Sequence, residues 1–139
     1  MSSRRSRARE VALQILFEDD VNPRATVADM KQFVSGRLNN SPELEEFCMS
    51  LILGVRRNQA ELDEQLSRIA DNWSISRMAA TDRNVMRLGA FEILYTDTPD
   101  RAAINEAVEL AKRFGSAQSA QFVNGILDKF IHRDKPPAS

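Results

Sequence analysis

Hydrophobic positions recur at helical spacing along nearly the whole chain. Ala8, Val11, Ala12, Ile15 and Leu16 fall at i, i+3, i+4, i+7 and i+8, and Leu13 with Phe17 adds a second apolar stripe. A helix apolar on more than one side is usually enclosed by its neighbours. The first helix, ending near Asp19-Asp20 ahead of Asn22-Pro23, is therefore expected to be a central core helix. Thr26 to about Gly36 reads as a shorter helix, with Thr26 as its cap and Val27, Met30, Phe33 and Val34 at helical spacing. Asn40-Ser41-Pro42-Glu43 restarts a helix whose inner face is Leu44, Phe47, Cys48, Leu51, Ile52 and Val55.

Arg56-Arg57-Asn58 fits either a turn or a continuation. Beyond it Leu62, Leu66, Ile69 and Ala70 form the apolar side of an amphipathic helix, with Glu61, Asp63, Glu64 and Arg68 opposite. Asp71-Asn72-Trp73-Ser74 breaks that pattern, and Trp73 is expected to pack back as a plug. A helix starting at Asp82 is apolar nearly all round (Val85 to Tyr95) and belongs inside. Ile104, Ala107, Val108, Ala111 and Phe114 make the next apolar face, with Glu109 and Arg113 placed to pair at i, i+4 and Gly115 as the stop. The last helix spans about Ser116 to Phe130. Its Asn124-Gly125 step has helical flanks, which excludes a hairpin; close approach of another helix or of a ligand would offset the cost of that glycine. This is an all-α chain of about seven helices in one domain over residues 1–139, with flexible ends at 1–5 and 133–139.

Composition agrees with that reading: five glycines, five prolines and 6% aromatic residues leave little material for a sheet. Net charge is −1, but the distribution is uneven. Arg4, Arg5, Arg7 and Arg9 precede the first acid, Glu10, so positions 10–139 carry fifteen basic against twenty acidic residues. A positive end on an acidic body suits an anionic partner at the terminus and a basic partner elsewhere. Cations at a helix N-terminus also oppose the helix dipole. Two explanations fit: a polyanion gripped by the cluster, or a solvated basic terminus.

Little else points to chemistry. Cys48 lies in an apolar run, and His132 is the single histidine. One of each excludes the usual soft metal sets and the Ser-His-Asp and Cys-His arrangements. No glycine-rich phosphate loop is present, and Glu45/Glu46 and Asp19/Asp20 are read as solvated pairs. Neither catalysis nor a cofactor or metal is expected. Without a signal-like or membrane-spanning apolar run, the expected location is the cytoplasm. If the arginines grip RNA, residues able to stack on or hydrogen-bond to bases should lie nearby; Gln121, Phe122 and Asn124 are the candidates, core packing being the ordinary role for Phe122.

Arg4–Phe17 (RRSRAREVALQILF), Asp82–Glu92 (DRNVMRLGAFE) and Ala103–Asp128 (AINEAVELAKRFGSAQSAQFVNGILD) closely resemble the NusB family of bacterial transcription antitermination factors. The AINEAVELAK and FVNGILD strings, in that order near the C-terminus, are the specific ones. The resemblance implies two small helical bundles sharing the N-terminal helix. It implies binding of boxA RNA, usually with the ribosomal protein NusE, in a complex that joins the elongating polymerase with other Nus factors and suppresses termination on ribosomal RNA operons. The family's arginine-rich motif falls on Arg4, Arg5, Arg7 and Arg9, interrupted by Ser6 where relatives can carry another arginine. Phe122 matches a position implicated in RNA contact. The NusE-facing surface is expected to include Phe17, Asp82 and Gln118, the last standing where some relatives have an acid. Family members occur as monomers and homodimers.

Two other classes compete. A stand-alone relative of the RNA-binding domain of ribosomal RNA cytosine methyltransferases would share this fold without a cofactor domain. A helical protein–protein adaptor would use the arginines only as solubilisers.

Overall fold

The computed structural model describes residues 4–70 and 75–133. The expectation for Trp73, and most of that for the C-terminal tail, falls outside them. Six α-helices follow one another: α1 (Arg4–Val21), α2 (Val27–Arg37), α3 (Pro42–Ile69), α4 (Ala80–Tyr95), α5 (Asp100–Phe114) and α6 (Ser119–Ile131), with a 3₁₀ turn at Ile75–Arg77 before α4. No strand occurs among the described residues, and no described helix is long and apolar enough to cross a membrane.

Six helices stand where seven were expected because Arg56-Arg57-Asn58 continues α3. Asn58 donates to the carbonyl of Gly54 one turn back (2.8 Å), and Arg56 leaves the helix surface to bind Asp19. The buried row Cys48, Leu51, Ile52, Val55, Leu62 and Leu66 keeps its phase through this polar interval. Thr26 caps α2 by accepting from the Asp29 N–H at 3.1 Å. Ser41 makes no such bond at the start of α3. Helix α4 begins at Ala80, so Asp82 sits inside its first turn, where a carboxylate complements the dipole.

Helix α1 is enclosed: Ala8, Arg9, Val11, Ala12, Leu13, Ile15 and Leu16 are all buried. It packs chiefly against α3 and α4, while α5 and α6 pack on each other and on α4. Small residues set the closest approaches. A Cβ at Gly54 of α3 would overlap the Phe91 ring of α4, and one at Gly89 would press on Leu127 of α6. Gly125 differs, since among the described residues nothing lies within reach of a Cβ there. Another helix therefore does not explain that glycine.

The carboxylates Asp19 and Asp20 are not solvated, as their turn position suggested. Asp19 and Arg56 pair with only 8% and 11% of their side chains exposed. Asp20 receives Arg83, Asn84 and Arg87, and Arg87 also forks onto Asp63 (2.7 and 2.8 Å). This network ties the end of α1 to α4 and α3. Burial alone would raise the Asp20 carboxyl, but hydrogen bonds from Asn84 and Arg83 and the Arg87 charge bring it below its ordinary value.

Candidate nucleic-acid interface

The first turn of α1 contains no acidic residue, and its arginines divide by helical phase. Arg4, Arg5 and Arg7 are exposed. Arg4 extends Nη2 toward Ser41 Oγ of α3 (3.4 Å), and the Arg5 guanidinium lies over the Phe47 ring, 4.3 Å from its centroid. Arg7 keeps half of its side chain in solvent and touches Glu10 at 3.0 Å. Ser6 donates its hydroxyl to Glu106 of α5 (2.8 Å).

Arg9 does not join this exposed set. Four residues before Leu13, it lies on the inner stripe, with 6% of its side chain accessible. Its Nε and Nη2 fork onto the Glu92 carboxylate at 2.6 and 2.8 Å, and Nη1 lies 3.5 Å from Glu106. Thr98 donates to the same Glu92 group at 3.0 Å. Burial pushes the Arg9 pKa down, and the Glu92 hydrogen bond with the Glu92 and Glu106 charges raises it on balance. Arg9 is thus a neutralised internal cation. It anchors the leading end of α1 to α4 and α5. The signal for this pairing was Glu92 itself, a lone acid within Gly89-Ala90-Phe91-Glu92-Ile93-Leu94.

Arg113 was expected to pair with Glu109. It reaches instead across to Glu10, whose second carboxylate oxygen holds Arg7, while Lys112 takes Glu109 at 3.4 Å. Spacing along the chain gives Phe47 a core position and Arg113 a pairing with Glu109, and neither a place beside the basic cluster, because the contacts that bring them and Glu10 to it join distant helices.

The α6 candidates split between two faces. Gln121, Asn124 and Gly125 are exposed at i, i+3 and i+4. Phe122 is half-buried and packs on the core. It lines a groove of about 360 Å³ with Arg77, Met78, Ala79, Asp82, Ser116, Gln118 and Ser119. Asp82 and Gln118 are thereby brought together, and Asp82 Oδ1 is buried there without a hydrogen-bond partner among the described residues. Phe17 lies half-buried at a neighbouring cavity of about 460 Å³ with Arg7, Glu10, Leu13, Gln14, Thr81, Arg113 and Phe114. Thr81 of this cavity and Asp82 of the groove are consecutive in α4. Phe114, 48% exposed, adds an apolar surface to the Phe17 cavity.

Among the described residues no group of His, Cys, Asp and Glu could hold a metal ion. Burial pushes the Cys48 thiol up to about 12, which removes its nucleophilic form at neutral pH. The surface offers binding groups: three exposed cations at one helix end, amides on α6, and a largely apolar hollow with a carboxylate oxygen that has no partner among the described residues.

The NusB family model matches residues 6–132. The transcription antitermination protein NusB of Anaeromyxobacter dehalogenans (strain 2CP-1) is 42% identical over 138 residues, covering 99% of this chain and 96% of that protein. The NusB protein of Nocardioides sp. (strain JS614) is 40% identical over 135 residues, with 96% and 97% covered. Among solved structures, T. maritima NusB superposes with a TM-score of 0.84 at 32% identity, over 98% of this chain and 96% of that one. A chain in the crystal structure of antitermination factors NusB and NusE in complex with dsRNA shares the fold (TM-score 0.83, 23% identity, 95% and 98% covered). With a family model spanning nearly all of it and full-length relatives above 40% identity, this chain belongs to the NusB family.

Proposed function

We propose that this protein is a transcription antitermination factor that acts by binding, without catalysis. It holds boxA-type single-stranded RNA together with the ribosomal protein NusE, in the cytoplasm, and with the elongating polymerase and other Nus factors it sustains transcription of ribosomal RNA operons. The observation that carries this reading is the exposed trio Arg4, Arg5 and Arg7 on a helix end fixed by the buried Arg9–Glu92 pair. An acid-free helix start that costs dipole energy, yet is rigidly held and open, suits a phosphate chain.

Arg4, Arg5 and Arg7 supply phosphate attraction, and Arg9 contributes as their anchor. Gln121 and Asn124 offer amides to unpaired bases, and the exposed part of Phe122 offers an edge to stack on. The bare backbone at Gly125 leaves room for a nucleotide beside them. Phe17, Asp82 and Gln118 form the NusE-facing surface, which borders the RNA-binding residues: Phe17 shares its cavity with Arg7 and Arg113, and Asp82 and Gln118 share theirs with Phe122. There a carboxylate oxygen without a partner among the described residues suits a donor from a basic protein. The scaffold reads as two small bundles, α1–α3 and α4–α6, joined where both α1 and α3 pack on α4.

Fluorescence anisotropy with boxA and scrambled RNA, with and without NusE, tests this function. Preferential boxA binding strengthened by NusE is the expected result. Equal, weak binding of both RNAs in the presence of NusE overturns it in favour of an adaptor.

A further inference from the structure

Glu10 is the residue on which this inference turns. Its carboxylate is nearly inaccessible, with 9% of the side chain exposed, yet it binds two guanidinium groups that are half in solvent. Oε2 accepts from Arg7 Nη1 of α1, and Oε1 accepts from Arg113 Nη1 of α5. One carboxylate thus holds two arginines from different helices side by side, and the trio keeps a net charge of +1.

Each arginine uses one of its five N–H donors on Glu10. Both side chains remain half in solvent, 50% and 55% exposed. Exposed ion pairs of this kind add little to stability. Two planar cations held beside each other, with donors to spare, match instead the oxygens of a phosphodiester. The Arg113 guanidinium also leans over the Phe114 ring, 5.3 Å from its centroid, which limits its freedom further. Among the described residues Arg113 is the one cation lining the groove that runs from Ser6 along α5 past Asn105, Glu106 and Glu109. Those acids would repel a phosphate chain from the groove, which leaves the Glu10 end, where Arg7 and Arg113 both bind its carboxylate, as the favourable place for one.

We propose that Arg7 and Arg113, bridged by Glu10, form a backbone-phosphate site that carries the RNA path from the tip of α1 onto the end of α5. The proposal rests on the RNA-binding reading above, and the test separates the two. Anisotropy titrations of the full chain with boxA RNA, across a salt series, compare Arg113→Ala, Arg113→Lys, Glu10→Gln and the control Arg4→Ala/Arg5→Ala. Arg113→Ala is expected to weaken binding roughly threefold to tenfold and to lower the log–log salt slope by about 0.7, one phosphate contact. Arg113→Lys retains the slope but binds more weakly, lacking the fork. Glu10→Gln removes the internal anion and tightens binding. Should Arg113→Ala leave affinity and slope unchanged while the Arg4/Arg5 control loses both, this site is wrong and the RNA reading stands. No change in either variant refutes the RNA-binding arm itself. If Arg113→Ala weakens NusE binding alone, the surface belongs to the protein partner and the proposal falls.

Discussion

Arg9 and Glu92 meet as a two-pronged ion pair between α1 and α4, Nε to Oε1 at 2.6 Å and Nη2 to Oε2 at 2.8 Å. Neither side chain exposes more than 6% of its surface. Removing one partner strands a charge in the interior, so Arg9→Ala should destabilise the fold by about 3–5 kcal/mol. The double replacement Arg9→Met with Glu92→Leu leaves no orphan and should recover most of that loss. Urea unfolding of both variants measures it. A single-mutant cost below about 1 kcal/mol would mean that the pair is not an anchor.

The exposed arginines should behave in the opposite way. Arg4→Ala/Arg5→Ala removes two solvent-facing cations, one of which has a cation–π contact worth about 0.5–1 kcal/mol. The thermal midpoint should shift by no more than a few degrees. The salt dependence of RNA binding should flatten by about 1.4 in log–log slope if both contact phosphate. Loss of stability without loss of slope would assign Arg5 to packing on Phe47 rather than to RNA.

These two predictions diverge for residues only four positions apart, and that marks where reading the chain alone stops. Helical phase identifies the enclosed α1 and the inner α4, and the Asn40-Ser41-Pro42-Glu43 string identifies the start of α3, because all of these depend on local sequence. Local sequence also places Arg9 in the same basic string as Arg4, Arg5 and Arg7. Sorting them needs Glu92, which lies 83 positions away and reaches Arg9 only after α4 packs on α1. Arg113 shows the same limit, since its near neighbour Glu109 has the right spacing and loses to Glu10, 103 positions distant. Continuity of α3 through Arg56-Arg57-Asn58 was undecided for a related reason, Arg56 being satisfied by Asp19 of another helix. The meeting of Asp82 with Gln118 followed from family resemblance and could not have come from spacing.

Acid should dismantle the α1–α4–α3 network through Asp20. Its pKa is held below the ordinary 3.8. A carboxyl depressed in the folded state contributes stability that is full above the unfolded value and is lost as pH falls through the folded one. Stability should therefore stay level for this group down to about pH 4 and decline below it. Asp20→Asn should lower stability at neutral pH and flatten that acid limb. An acid limb unchanged in Asp20→Asn would show that other carboxyls govern it.

Two glycines in neighbouring roles should respond with opposite sign. Gly54→Ala drives a methyl into Phe91 between α3 and α4, and overpacking of this kind costs about 1–3 kcal/mol or more. Gly125→Ala meets open space in mid-helix and should stabilise by about 1 kcal/mol through helix propensity. Chemical denaturation reads both. If Gly125→Ala also weakens boxA binding, the open backbone beside Asn124 is used by RNA.

Asp82 joins stability to partner choice. Its Oδ1 is buried without a hydrogen bond among the described residues at the groove shared with Gln118 and Phe122, and such an oxygen costs about 1–3 kcal/mol. The carboxylate recovers about 0.3–1 kcal/mol from its place in the first turn of α4. Asp82→Ala should accordingly leave the isolated protein as stable as before or slightly more so. Its affinity for a basic partner such as NusE should fall at least several-fold, because the donor that would satisfy Oδ1 then has no acceptor. Calorimetric titration with NusE beside a thermal melt gives both quantities. Substantial destabilisation with unchanged partner affinity would make Asp82 a helix-start residue and nothing more.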